Sequence, residues 1–219
     1  MLIKEMLALA LALMLLVTSS CAVQVDVPSE ETPPSNLPYS LMEPIQMDVD
    51  ALCQGEGKVV DSVNFTLLTL PRWIRKSFQD TGWSIMVVDY DLATVDYAGY
   101  FAPGDVLGST IYKDREIRIL NEPKASVNAP IHEFGHWLDW ILGYPTMSGE
   151  EYLRIYEEEQ DAYMTHFGPA CSWNEQEFLA EGFWCYWKSP EALRKVCPQL
   201  YQYLNDNLNM LKEQCTSGG

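Results

Sequence analysis

The chain has 219 residues, 47% hydrophobic and 12% aromatic, enough for one domain with a real core. Its formal charge of −17 argues against nucleic acid, whose binding needs clustered Lys and Arg facing phosphates, and against an anionic membrane surface. The charge reads first as solubility, with a cationic substrate as the minority reading.

At the N-terminus, Lys4 precedes an apolar run from Met6 to Val17 and then Thr18-Ser19-Ser20-Cys21-Ala22. Residues 1–21 read as a signal peptide, too short to span a bilayer comfortably. Two cuts compete. Cleavage before Cys21 would leave a lipidated cysteine that anchors the chain at the outer face of the membrane. Cleavage after Ala22 would leave a secreted protein. The small residues before Cys21 favour the first, and Thr18, where such a signal usually has Leu or Val, weakens it. The expected location is extracytoplasmic, as a lipoprotein anchored at Cys21, with secretion as the alternative. Any membrane contact is through that anchor. Either cut leaves five cysteines, Cys53, Cys171, Cys185, Cys197 and Cys215, so at least one thiol stays unpaired within the chain. Export permits disulfides, but the spacing does not fix a pairing.

Residues 22–50 are rich in Pro, Ser and acids ("DVPSEETPPSNLP") with no apolar period, which reads as a flexible tether. The folded domain is expected over residues 51–213, with 214–219 as a disordered tail. "LTLPRWIRKSFQDTG" reads as a helix from Pro71 ended by Gly82. "WSIMVVD" is a buried strand and "AGYFA" a candidate second one. "STIYKDREIRIL" suggests a hairpin or bent strand pair around Lys113-Asp114. Helices follow at about 129–142, 149–166, 173–188 and 190–212. Few strands and then mostly helices predict an α+β fold, a small sheet packed on a helical body.

"APIHEFGHWLD" carries two of the chain's three histidines. Asn128 offers an N-cap, Pro130 suits a first turn, and Gly143 with Pro145 closes the segment. In that helix His132 and His136 project from one face, the reach two imidazoles need to hold one zinc. Glu133 lies beside that face, able to take a proton from a zinc-bound water. Gly135 allows close approach by a neighbouring strand or a substrate. The competing reading is a surface helix with two solvated histidines.

A catalytic zinc usually takes a third protein ligand and leaves one position open. His166 and several carboxylates compete for the role. The strongest candidates lie in "WNEQEFLAEGFWCYW", where Glu177 and Glu181 sit four apart in an otherwise apolar helix. Buried acids so placed need a cation or hydrogen-bond donors. Glu177 is assigned as third ligand, with Glu181 as the other contender. Glu181 is otherwise expected to accept from the outer ring N–H of a metal-bound histidine. Against this, Asn174-x-x-Glu177 reads as a capping box, unless Ser172-x-x-Glu175 is used instead. Asp139 is expected to buttress His136, with capping of its own helix or plain solvation as the alternatives. Cys185 is expected to be a buried thiol.

With these residues in place, the chain resembles the anthrax lethal factor-like zinc peptidases, which include the secreted Pro-Pro endopeptidases. "HEFGHWLD" and "NEQEFLAEGF" carry the resemblance, which covers roughly residues 59 to 212. It implies a zincin-type catalytic domain with a small mixed sheet packed on a predominantly helical body. It also implies zinc on His132, His136 and Glu177, with Glu133 as base. The family usually places a tyrosine about seven residues before the glutamate ligand, as donor to the oxyanion. Here Ala170 holds that position, and Tyr163 and His166 are the candidate substitutes.

The expected activity is extracytoplasmic zinc-dependent endopeptidase, a monomer acting on peptide or protein. The substrate strand is expected along the 116–120 edge. The alternative is a non-catalytic surface protein that binds peptide or zinc on the same scaffold.

Overall fold

The computed structural model describes residues 51–168 and 174–217, so the expected signal peptide, Cys21 and the tether lie outside the described residues. The order of elements is β1 (Cys53–Gln54), α1 (Lys58–Leu67), α2 (Arg72–Asp80), β2 (Ser84–Val88), α3 (Leu92–Val95), β3 (Gly108–Ile111) and β4 (Glu116–Leu120). There follow α4 (Ala125–Ile141), α5 (Pro145–Ser148), α6 (Glu150–Phe167), α7 (Glu175–Lys188), α8 (Pro190–Val196) and α9 (Pro198–Ser217). This is the α+β architecture expected: a small mixed sheet on a mostly helical body.

The sheet has the order β1-β2-β4-β3. β2 pairs in parallel with β1 and β4, and β3 pairs antiparallel to β4. Alternation explains its two faces. Ile85 of β2 lies opposite Ile117 of β4, and both are buried with Ile119 against the helices. On the other face Arg118 reaches Asp96 and Glu116, each at 2.6 Å, and so ties the segment after α3 to the sheet. β4 has partners on both sides, so it is not the open edge the sequence suggested. β3 and β1 are the terminal strands. The "AGYFA" segment is a turn and not a strand. Ala98 and Gly99 both take positive φ, and Tyr100 N–H bonds back to the Tyr97 carbonyl.

α4 starts a turn earlier than Asn128 would set it, and Pro130 therefore lies inside the helix. Proline has no N–H to give the carbonyl four residues back. The Thr66 hydroxyl of α1 donates to that Ser126 carbonyl at 2.8 Å and restores the lost bond. Phe134, Trp137 and Leu138 carry α4 into the core, with Phe134 stacked on Phe78 of α2 at 4.4 Å. The single C-terminal helix expected over 190–212 is two, α8 and α9, broken before Pro198. α9 runs to Ser217, so residues 214–217 continue a helix and are not a tail. Its first turn is capped from α6: Glu159, buried, accepts from Gln199 N–H at 2.9 Å and Leu200 N–H at 3.0 Å. Among the described residues no helix is long and apolar enough to cross a membrane.

Candidate metal centre

The close pairing of α4 with α7 follows from one residue. A Cβ at Gly135 would overlap the backbone of Ala180, so only glycine lets the helices approach this far. The neighbour that Gly135 admits is therefore a helix, neither the strand nor the substrate expected. Contact at that point sets Glu177 and Glu181 opposite His132 and His136. Asn174 fixes the phase of α7, its side chain accepting from Glu177 N–H at 2.9 Å. Asn174 thus takes the capping role that the sequence left between it and Ser172. Only the backbone of Glu177 is engaged there, and its carboxylate points to the histidines.

One donor atom from each of His132, His136 and Glu177 lies within 4.8 Å of the other two. His132 Nε2 stands 3.2 Å from Glu177 Oε2, and His136 Nε2 stands 3.6 Å from Glu177 Oε1. The imidazoles meet edge to face, 5.1 Å between centroids. On the outer side, His132 Nδ1 donates to Glu181 Oε1 at 2.9 Å, which leaves Nε2 as its inward-facing nitrogen. Two imidazole nitrogens and a carboxylate in one small, partly buried cluster form a donor set suited to a catalytic zinc.

The proton affinities of the metal-free cluster diverge. Burial would lower His132, but hydrogen bonds to Glu177 and Glu181 outweigh it and hold the imidazole well above its ordinary value. His136 falls to about 4 through burial and the charge of His132. Burial pushes Glu177 up, and the His132 hydrogen bond with the charges of both histidines brings it below its usual range. Burial drives Glu133 up to about 7, with Glu177 and Glu181 adding to the rise. A divalent cation among these groups would displace the proton on His132 and answer the carboxylates.

Glu133 is 4% exposed, set between α4 and β3. Its Oε2 accepts from the Thr110 hydroxyl at 2.6 Å. Its Oε1 lies against Gly108, where an added Cβ would come within 2.5 Å. Sequence reasoning missed Thr110 and Gly108. The only trace is that they alternate in a strand, and nothing local says which helix that strand faces.

Three expectations are corrected here. Tyr163 is wholly buried, packed on Phe167 and Phe178, and its hydroxyl meets Cys185 Sγ at 3.1 Å. A hydroxyl at 0% exposure does not reach a substrate. His166 is exposed in the last turn of α6 with its ring against Phe167, and it is not among the residues brought together with the ligand group. Asp139 does not serve His136. Its carboxylate accepts from Thr146 N–H at 3.2 Å and from the Thr146 hydroxyl at 2.8 Å, locking the turn into α5. Ala170, Cys171 and Ser172 lie outside the described residues. Cys185 is the buried thiol expected, pushed up to about 12 by burial, and Cys53 and Cys197 are buried thiols too.

Two phenols sense the cluster. Tyr97, hydrogen-bonded to Ser109, is pushed up to about 12 by burial and then by the charge of Glu133. Tyr112 is raised by burial and by the charges of Asp139 and Glu133.

The comparisons with known proteins bear on the fold and on the family resemblance. The family model described as anthrax toxin lethal factor, N- and C-terminal domain, matches residues 116–207, a span that holds α4 and α7. Among solved structures, the Pro-Pro endopeptidase PPEP-2 from Paenibacillus alvei superposes with a TM-score of 0.55 at 19% identity. The match covers 72% of this chain and 97% of that one. A search of curated proteins finds no match. The model and the structure together support the resemblance to the lethal factor-like family.

Proposed function

We propose that the chain is a zinc-dependent endopeptidase that works outside the cytoplasm. The observation that carries the reading is the meeting of His132, His136 and Glu177 beside a buried glutamate of raised proton affinity. The similarity to a Pro-Pro endopeptidase and to lethal factor supports it. The leader-like residues 1–21 favour the extracytoplasmic location, with a lipid anchor at Cys21 as its form.

Zinc bound there would supply an activated water and polarise the scissile carbonyl. His132 Nε2, His136 Nε2 and the Glu177 carboxylate would hold it. Glu181 fixes the tautomer of His132 by accepting from Nδ1. Thr110 holds Oε2 of Glu133, and Glu133, through Oε1, would take the water's proton and return it to the leaving amine. The substrate backbone would lie along β3, a terminal strand, since 116–120 has strand partners on both sides.

The second reading is a non-catalytic protein that binds peptide or zinc on the same scaffold. The burial of Tyr163 and the exposed position of His166 favour it, because both expected oxyanion donors are lost. A diverse peptide library, digested with and without chelator and read by mass spectrometry, separates the two. Cleavage that chelator and Glu133→Ala each abolish, while Glu133→Ala keeps its zinc, supports the peptidase. No cleavage by the zinc-loaded chain supports the binder.

A further inference from the structure

β3 has two jobs in one dipeptide repeat. Leu120 N–H donates to the Leu107 carbonyl at 3.0 Å, and the register continues as Gly108 opposite Ile119, Ser109 opposite Arg118 and Thr110 opposite Ile117. Hydrogen-bonded and non-hydrogen-bonded pairs alternate along an antiparallel ladder. The pairs at 107, 109 and 111 therefore bond to β4, and the N–H and C=O groups of Gly108 and Thr110 point away from β4 to the open edge. Those are the groups a peptide strand would meet. The same two residues touch Glu133: the Thr110 hydroxyl holds Oε2 at 2.6 Å, and the bare Cα of Gly108 makes room for Oε1.

We propose that Thr110 is a positioning residue for Glu133, and that Gly108 and Thr110 together couple peptide pairing on the open edge to the placement of the base. A peptide that bonds to the main chain of these residues stiffens the strand that aims the carboxylate. A strand frayed at this point releases both. The hydroxyl, and not the bulk of the side chain, is the operative group, since the methyl of threonine makes no bond to Oε2. The inference rests on the peptidase reading.

The test compares the full chain with Thr110→Val, which keeps shape and β-branching, and Thr110→Ser, which keeps the hydroxyl. With a peptide taken from the library digest, Thr110→Val is expected to lower kcat roughly ten- to hundredfold, the loss typical of a missing hydrogen bond to a charged group. Its KM and zinc content should stay within about threefold of the parent, whereas Thr110→Ser should restore kcat to within about threefold. A parental kcat in Thr110→Val, or a Thr110→Ser as slow as Thr110→Val, overturns the proposal. If the parent cleaves no peptide, the peptidase reading is what fails, and crystal structures of the metal-free variants then decide the positioning claim. A Glu133 carboxylate displaced in Thr110→Val and kept in Thr110→Ser upholds it. An unmoved carboxylate in Thr110→Val overturns it.

Discussion

Glu159 and Glu133 are both buried, at 6% and 4% exposure, yet the chain serves them differently. Glu159 sits under the first turn of α9, where the positive end of the helix favours a carboxylate and two backbone N–H groups occupy both oxygens. Glu133 sits under β3 with one side-chain donor on one oxygen and two further carboxylates adding their charge. An acid whose two oxygens are both taken by fixed backbone donors serves the fold. An acid answered on one side, with its proton affinity raised to about 7, is set to take a proton and give it back.

The largest effect should come from making the same change in both places. Glu133→Gln is expected to lower peptide cleavage about 10²- to 10⁴-fold with zinc content intact. Glu159→Gln should leave cleavage per folded molecule unchanged. Equal losses in both, measured as initial rates at matched zinc loading, would erase the distinction. A smaller effect should follow from the residue that braces the ligand helix. Glu181→Ala removes the acceptor for His132 Nδ1, and zinc affinity measured by competition with a chelator should fall roughly 10- to 100-fold. Unchanged affinity would mean that the 2.9 Å contact has no part in holding the metal.

The remaining effects are in stability, and they differ in sign. The metal-free Glu133 carboxyl titrates near 7 when folded against 4.5 for the ordinary group. Its protonated form is therefore the one the fold prefers. That contribution is complete below about pH 4.5 and is lost as the pH rises through 7. Glu133→Gln should accordingly stabilise the metal-free protein at pH 8 by about 2–3 kcal/mol and do nothing at pH 4.5. Glu159→Gln gives up one of two acceptors and should destabilise by about 1–3 kcal/mol at pH 8. Urea unfolding in the presence of chelator reads both. A Glu133→Gln protein less stable than the parent at pH 8 would place that glutamate with Glu159, as a structural acid.

The sequence made this contrast half visible. His132, His136 and Glu133 were legible because one helix fixes their spacing, and Glu177 because two acids in an apolar helix need a partner. The strand at Ser84–Val88 was legible as a short apolar, β-branched run, and the hairpin at 108–120 from the turn at Lys113-Asp114. What stayed hidden depends on which element meets which. Gly135 announced a close approach, but only the packed fold shows that Ala180 fills it. Asp139 looked like a buttress for His136 by spacing, and Thr146 took it instead. Tyr163 was a substitute for the tyrosine that the family resemblance implies, and its burial makes it a core residue. Pro130 argued for a first turn, because the Thr66 hydroxyl that lets the helix begin earlier comes from a distant segment. "AGYFA" has strand propensity, but positive φ at Ala98 and Gly99 turns it.

Anomalous diffraction at the zinc edge, on crystals of the full chain grown with zinc, tests the central claim most directly. A single strong peak at bonding distance, about 2.0–2.2 Å, from His132 Nε2, His136 Nε2 and a Glu177 oxygen, with Glu133 outside the coordination shell, is the predicted result. A peak that lacks Glu177, that takes Glu133 as a ligand, or that lies elsewhere in the chain would contradict it.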